Sequence, residues 1–272
     1  MPRWLITTVR LTVIVAGVSI LSVIGLVVFR QLAPMADLRG SSGDVGNYLQ
    51  TVGGIYAVLL AFVVYVVWNQ YDQARGHIDR ESAALIDLHR TASGLPVGTR
   101  DEIQAGLRAY VASVLHDEWT AMRRHDEATI SRVGERLDRV WLAIHKCMPL
   151  NECQHTIYSE VLSRFNDLTD VRTSRLTSSR QRIPLPMRIL LYAGALIMIG
   201  SMYMMVIEPP WVHALTTGAL SGAIAHILFL IVDLDDPFSG RYTLAREPYE
   251  RALAAFERDT HLVDAVDVCP VA

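Results

Sequence analysis

Three carboxylates, Asp233, Asp235 and Asp236, fall within four residues at the end of an apolar run. Such a concentration of hard oxygen ligands could hold a cation such as Ca²⁺. The plainer account is an interfacial acidic cap followed by a turn, Pro237-Phe238-Ser239-Gly240. A second set spells H-x-C-x5-C-x-H: His145, Cys147, Cys153 and His155. These are zinc-ligand types, but their order and spacing match no common finger. We read the cysteines as small apolar fillers and the histidines as surface residues. His226 stands inside an apolar run, where an ionisable side chain is a functional candidate by default; a neutral imidazole hydrogen-bonded to a neighbouring helix is the alternative. His116, Asp117 and Glu118 beside Trp119 have the residue types of a catalytic cluster. Adjacent positions of a helix point in different directions, so we read a solvated face there with Trp119 packed inward. No nucleophile elbow, P-loop, dinucleotide fingerprint or H-E-x-x-H is present. We therefore expect no enzyme, and no cofactor other than Ca²⁺ at the aspartates.

The elements that must position these residues are long helices. Hydrophobic residues make up 51% of the 272 positions, and the mean hydropathy is +0.26. The apolar residues gather in four runs, 11–29, 52–68, 187–207 and 211–232. Each approaches the roughly 20 residues needed to cross a hydrocarbon core of about 30 Å. We expect a polytopic membrane protein in a lipid bilayer, all-α, with four transmembrane helices. Arg3 and Arg10 ahead of the first run could also mark a signal peptide. The run is long for one, however, and ends in Phe29-Arg30-Gln31 with no small-x-small site.

The division expected is 1–71 for the first two spans, 72–185 for a cytosolic helical domain, 186–233 for the last two spans and 234–272 for a cytosolic C-terminal segment. Orientation follows the positive-inside rule. Arg75 and Arg80 follow the second span, Arg180, Arg182 and Arg188 flank the third, and Arg3 and Arg10 precede the first. Arg30 and Arg39 in the first loop are accompanied by Asp37 and Asp44. Both termini are then cytoplasmic. Lys146 is the single lysine, and the arginine bias reads as the codon usage of a GC-rich bacterial genome, placing the protein in a bacterial inner membrane. A net charge of −3 gives no basic field for nucleic acid.

Within 72–185 the chain reads as helices throughout. The second span continues without a break to about Ser93, where Gly94 and Pro96 stop it. Further helices start near Thr99, Asp126 and Asn151, and the last is hinged to the third span by Ile183-Pro184-Leu185-Pro186. Helices this long, rooted in the membrane at both ends, pack against each other and against neighbouring copies.

The stripe Gln50, Gly54, Val58, Phe62, Tyr65 and Asn69 is spaced by threes and fours, which places it on one side of the second span. It could line a pore with an apolar gate that closes by dewetting. A helix-packing face, with Gly53 and Gly54 allowing close approach, is the competing account.

The ordered set Tyr56-x5-Phe62-x5-Trp68-Asn69-Gln70-Tyr71, Ala74-Arg75, Arg80-Glu81-x-Ala83, Leu95-Pro96, Tyr110, Glu118-Trp119 and Leu234-Asp235-Asp236-Pro237-Phe238-Ser239-Gly240 resembles the bestrophin-like membrane proteins. The likeness covers most of 45–250. It implies a bestrophin-like fold and a homo-oligomer, a pentamer by preference, with the second helix of each subunit around a central path for inorganic ions. Asp72, Arg75, Asp79 and Arg80 would then set the charge at the inner mouth. In bestrophins the neck carries bulky apolar residues at successive turns. The corresponding turns here are Gln50, Gly54 and Val58, so the constriction is wider, more polar, or shifted to Val58, Phe62 and Tyr65. An ion channel is the function this implies, its selectivity open. A membrane-anchored scaffold or sensor, whose helical domain binds a partner, is the alternative.

Overall fold

The computed structural model describes residues 3–33, 35–149, 151–240 and 242–263, and side chains within 8–259. Among the described residues the chain is helical with no strand. In order, the α-helices are α1 (Arg3–Leu32), α2 (Met35–Thr91), α3 (Val97–Ser113), α4 (Trp119–Arg124), α5 (Glu127–His145), α6 (Glu152–Arg180), α7 (Leu185–Met204), α8 (Pro210–Leu234) and α9 (Glu247–Val263). The end of the expected C-terminal segment, 264–272, lies outside the described residues, as do the side chains of Arg3, Asp37 and Arg39.

The chain divides into two compact units. One comprises 1–70, 182–236 and 240–242; the other comprises 71–181, 237–239 and 243–272. Each of the four helical stretches long and apolar enough to cross a membrane lies wholly or partly in the first. There α1 runs antiparallel to α8: the Ser19 hydroxyl donates to the Gly218 carbonyl at 3.0 Å, and Ser19 and Val15 also lie against Gly222. The span of α2 runs antiparallel to α7. The Tyr56 hydroxyl donates to the Leu191 carbonyl at 2.8 Å, and the Tyr56 ring lies over Gly194, where an added Cβ would come within 2.4 Å of it. Small residues thus let the α1 and α8 backbones approach, as in other membrane helix pairs, while on α7 Gly194 makes room for the Tyr56 ring.

The second unit is a helical domain around Tyr110, Trp119, Phe238, Tyr249 and Phe256, each at most 2% exposed. Its helices start on side-chain caps. Asp126 Oδ1 accepts from the Thr129 amide at 3.2 Å, and Asn151 Oδ1 accepts from the Gln154 amide at 2.9 Å.

Two expectations are corrected. The loop expected between the first two spans is absent over 35–51, where α2 is already helical and reaches 57 residues. Gly40, Gly43, Gly46 and the serines read as a turn, yet a helix satisfies its own backbone wherever water is scarce. The expected solvated face at His116–Glu118 holds for the exposed His116 and Asp117, with Trp119 packed inward, but not for Glu118. Val114–Glu118 forms a π turn, whose extra residue brings Glu118 and Trp119 inward together, both at most 2% exposed.

Candidate functional site

The two sides of α2 differ. Tyr56, Leu60, Val63 and Val67 are each at most 7% exposed and face the other helices of their unit. On the opposite side Val58 is 72% exposed, Phe62 55% and Tyr65 67%, and Gln50, Gly54, Asn69 and Asp72 are exposed as well. The stripe singled out in the sequence is therefore the open side of the helix. Its upper end drifts: each step of four residues carries a helix about 40° further round, so Gln50 lies about 120° from Phe62. Asn47 and Thr51, also exposed, fall closer to the line through Val58, Phe62 and Tyr65. The sequence reading passed over them because it stepped by four from Gln50 to Phe62; a count at about 100° per residue finds them. The Thr51 hydroxyl is turned back to the Asn47 carbonyl at 3.0 Å.

Beyond Tyr71 the same helix presents charge. Asp72 is exposed and forms no ion pair with a described residue. Asp79 faces Arg251 at 3.6 Å. The Arg80 guanidinium donates to the Gly76 carbonyl at 3.2 Å and to His77 Nδ1 at 2.9 Å. Partial burial and then the Arg80 charge hold His77 below the usual histidine range. Arg75 is exposed.

The three aspartates after α8 are directed to separate partners. Asp235 accepts from the Ile183 amide at 2.7 Å and from Arg188 at 3.1 Å. Asp236 pairs with Arg182 at 2.9 Å, and Asp233 accepts from the Tyr242 amide at 3.0 Å. Gly240 closes the turn; a Cβ there would sit 2.4 Å from the Asp233 carbonyl oxygen. Among the described residues no group of three or more metal-ligating side chains converges. The His/Cys set is equally dispersed. Cys147 is buried and Cys153 exposed, and His145 packs on Trp141 with ring centroids 3.9 Å apart. His226 is exposed on the outside of its unit rather than bound to a neighbouring helix.

The sequence reading did not anticipate the polar centre of the second unit. Arg175, fully buried, donates to Glu81 Oε2 at 2.6 Å and to Glu118 Oε2 at 2.6 Å. Tyr110 donates to Glu81 Oε1 at 2.6 Å, and Arg172 donates to Glu118 Oε1 at 2.5 Å. Burial alone would strip the Arg175 charge, but Glu81, Tyr249 and Glu118 around it hold its pKa well above the ordinary value. For Tyr110 burial and the same two carboxylates act together and raise the phenol. Both buried carboxylates are matched by arginines, so the arrangement ties these helices together as a structural clamp.

A family model described as the Bestrophin-like domain matches residues 16–249. Among solved structures, a bacterial Bestrophin homolog from Klebsiella pneumoniae phased by Zn-SAD is 15% identical, with a TM-score of 0.65 over 95% of this chain and 98% of that one. Two variants of the Klebsiella pneumoniae homolog have TM-scores of 0.63: one is 16% identical over 92% of this chain and 98% of its own. The other is 17% identical over 95% and 99%. At these identities the likeness is one of fold. No curated protein matches the chain.

Proposed function

Because the chain belongs to the Bestrophin-like family, we propose that it is an oligomeric ion channel, a pentamer by preference, with α2 of each subunit lining the conduction path. The observation that carries this is the two-sidedness of α2. One side is packed, while the other leaves Val58, Phe62 and Tyr65 more than half exposed within an otherwise apolar span. A ring of such helices would enclose an apolar constriction at these three residues, which gates by dewetting. Asn47 and Thr51 would line one approach, and Asn69 and Asp72 the other. Asp72, Arg75, Asp79 and Arg80 would set the ion concentration at the cytosolic mouth. The arginines flanking the spans favour both termini in the cytoplasm of a bacterial cell. The aspartates after α8 serve this reading as a structural turn, each carboxylate being occupied by protein donors.

The test is ion flux in proteoliposomes. Wild-type protein should pass a monovalent anion or cation, and Phe62→Ser should raise the flux about tenfold or more by wetting the constriction. Assembled protein that passes neither ion class, with Phe62→Ser equally silent, would leave the scaffold reading in its place.

A further inference from the structure

We propose that Arg30, His213 and Thr217 form an internal anion site in the membrane-spanning unit, which takes up a monovalent anion together with a proton. The site stands apart from the α2 stripe and does not depend on conduction. His213 and Thr217 are one turn apart on α8, on the same side of the helix, and are 0% and 1% exposed. His213 Nε2 lies 2.9 Å from the Met202 carbonyl oxygen, which can only accept. Nε2 therefore carries the ring proton, and in the neutral imidazole Nδ1 is a bare acceptor. Among the described residues that Nδ1 has no partner, nor does the Thr217 hydroxyl. Thr216 next to it shows the usual solution, its hydroxyl donated back to the Val212 carbonyl at 3.0 Å.

Arg30, at the end of α1, supplies the charge. One of its terminal nitrogens donates to the Ile207 carbonyl at 3.0 Å, while its Nε is buried without a partner among the described residues. The guanidinium lies within electrostatic reach of His213. The first turn of α8 adds the positive end of a helix dipole.

Of the other ionisable groups on the surrounding elements, Tyr203 of α7 donates its hydroxyl to the Ser22 carbonyl at 2.8 Å. Glu208, between α7 and α8, is itself engaged. Asp44 of α2 is exposed.

A proton on Nδ1 would place a second buried cation beside Arg30, which is unfavourable without a counterion. An anion between them would accept from the protonated Nδ1, Thr217 Oγ1 and Arg30 Nε, satisfying all three at once. Proton and anion uptake are then linked, each tightening the other.

The experiment is thermal unfolding of the purified protein in sodium bromide against sodium gluconate. It is run at about pH 5 and about pH 8, either side of the ordinary histidine range. Bromide should raise the midpoint by about 2–4 °C at the lower pH only. The shift should vanish in Thr217→Val, an isosteric change that keeps the fold, and in His213→Gln. A shift equal at both pH values, or one retained in Thr217→Val, would overturn the site as a general salt effect. No shift at either pH would overturn it in favour of a resident water.

Discussion

Arg175 joins three helices of its unit through one side chain. Its guanidinium holds Glu81 of α2 and Glu118 of the π turn, and its face lies 5.9 Å from the Tyr249 ring of α9. Removing one partner of a buried ionic set leaves the others charged without compensation, at about 3–5 kcal/mol. Arg175→Met should therefore lower the stability of the helical domain by that amount, read from denaturant unfolding. His89 makes the same point through protons. It is stacked on Phe256 at 4.2 Å, and burial, then Arg108, lowers its pKa from 6.5 to about 4. A histidine with a depressed folded pKa contributes its stability above the unfolded value and loses it as the pH falls. The unfolding midpoint should thus hold above about pH 6.5 and fall between there and about pH 4. His89→Phe, which keeps the stack, should remove the part of that slope due to residue 89 in a pH series of melting curves.

At the scale of elements, what was legible depended on whether periodicity carried the information. The spans announced themselves, because uncharged runs of that length have few other uses. The caps at Asp126 and Asn151 were visible as residue types at helix starts. The upstream extension of α2 was hidden by its glycines and serines, which carry the statistics of a turn. The π turn was hidden more completely: an extra residue in a helical turn has no compositional signature, so Glu118 was assigned to the wrong side. The two histidines of α8 fail for a further reason. That helix is apolar all round, and such a helix gives no sequence signal for which side faces inward. Hence His226 drew attention and proved exposed, while His213 did not and proved buried. On α2 the apolar stripe was legible, but its drift was not followed past Gly54.

For the whole molecule, a stripe left open along a membrane helix predicts how copies meet. If the α2 helices ring an axis, cysteines at its narrowest point approach one another within the Cα separation of about 4.4–6.8 Å that a disulfide needs. Tyr65→Cys should then form covalent dimers under mild oxidant, visible on a denaturing gel. Ile183→Cys, at a position 5% exposed, should not. Monomers alone from Tyr65→Cys in membranes would count against a central ring.

The boundary between the two compact units falls at residue 70, inside α2. No loop interrupts the 57-residue helix there, whose contour is about 85 Å at 1.5 Å per residue. An amide just past the boundary donates to a carbonyl four residues before it, so the division between the packed cores has no counterpart in the backbone ladder.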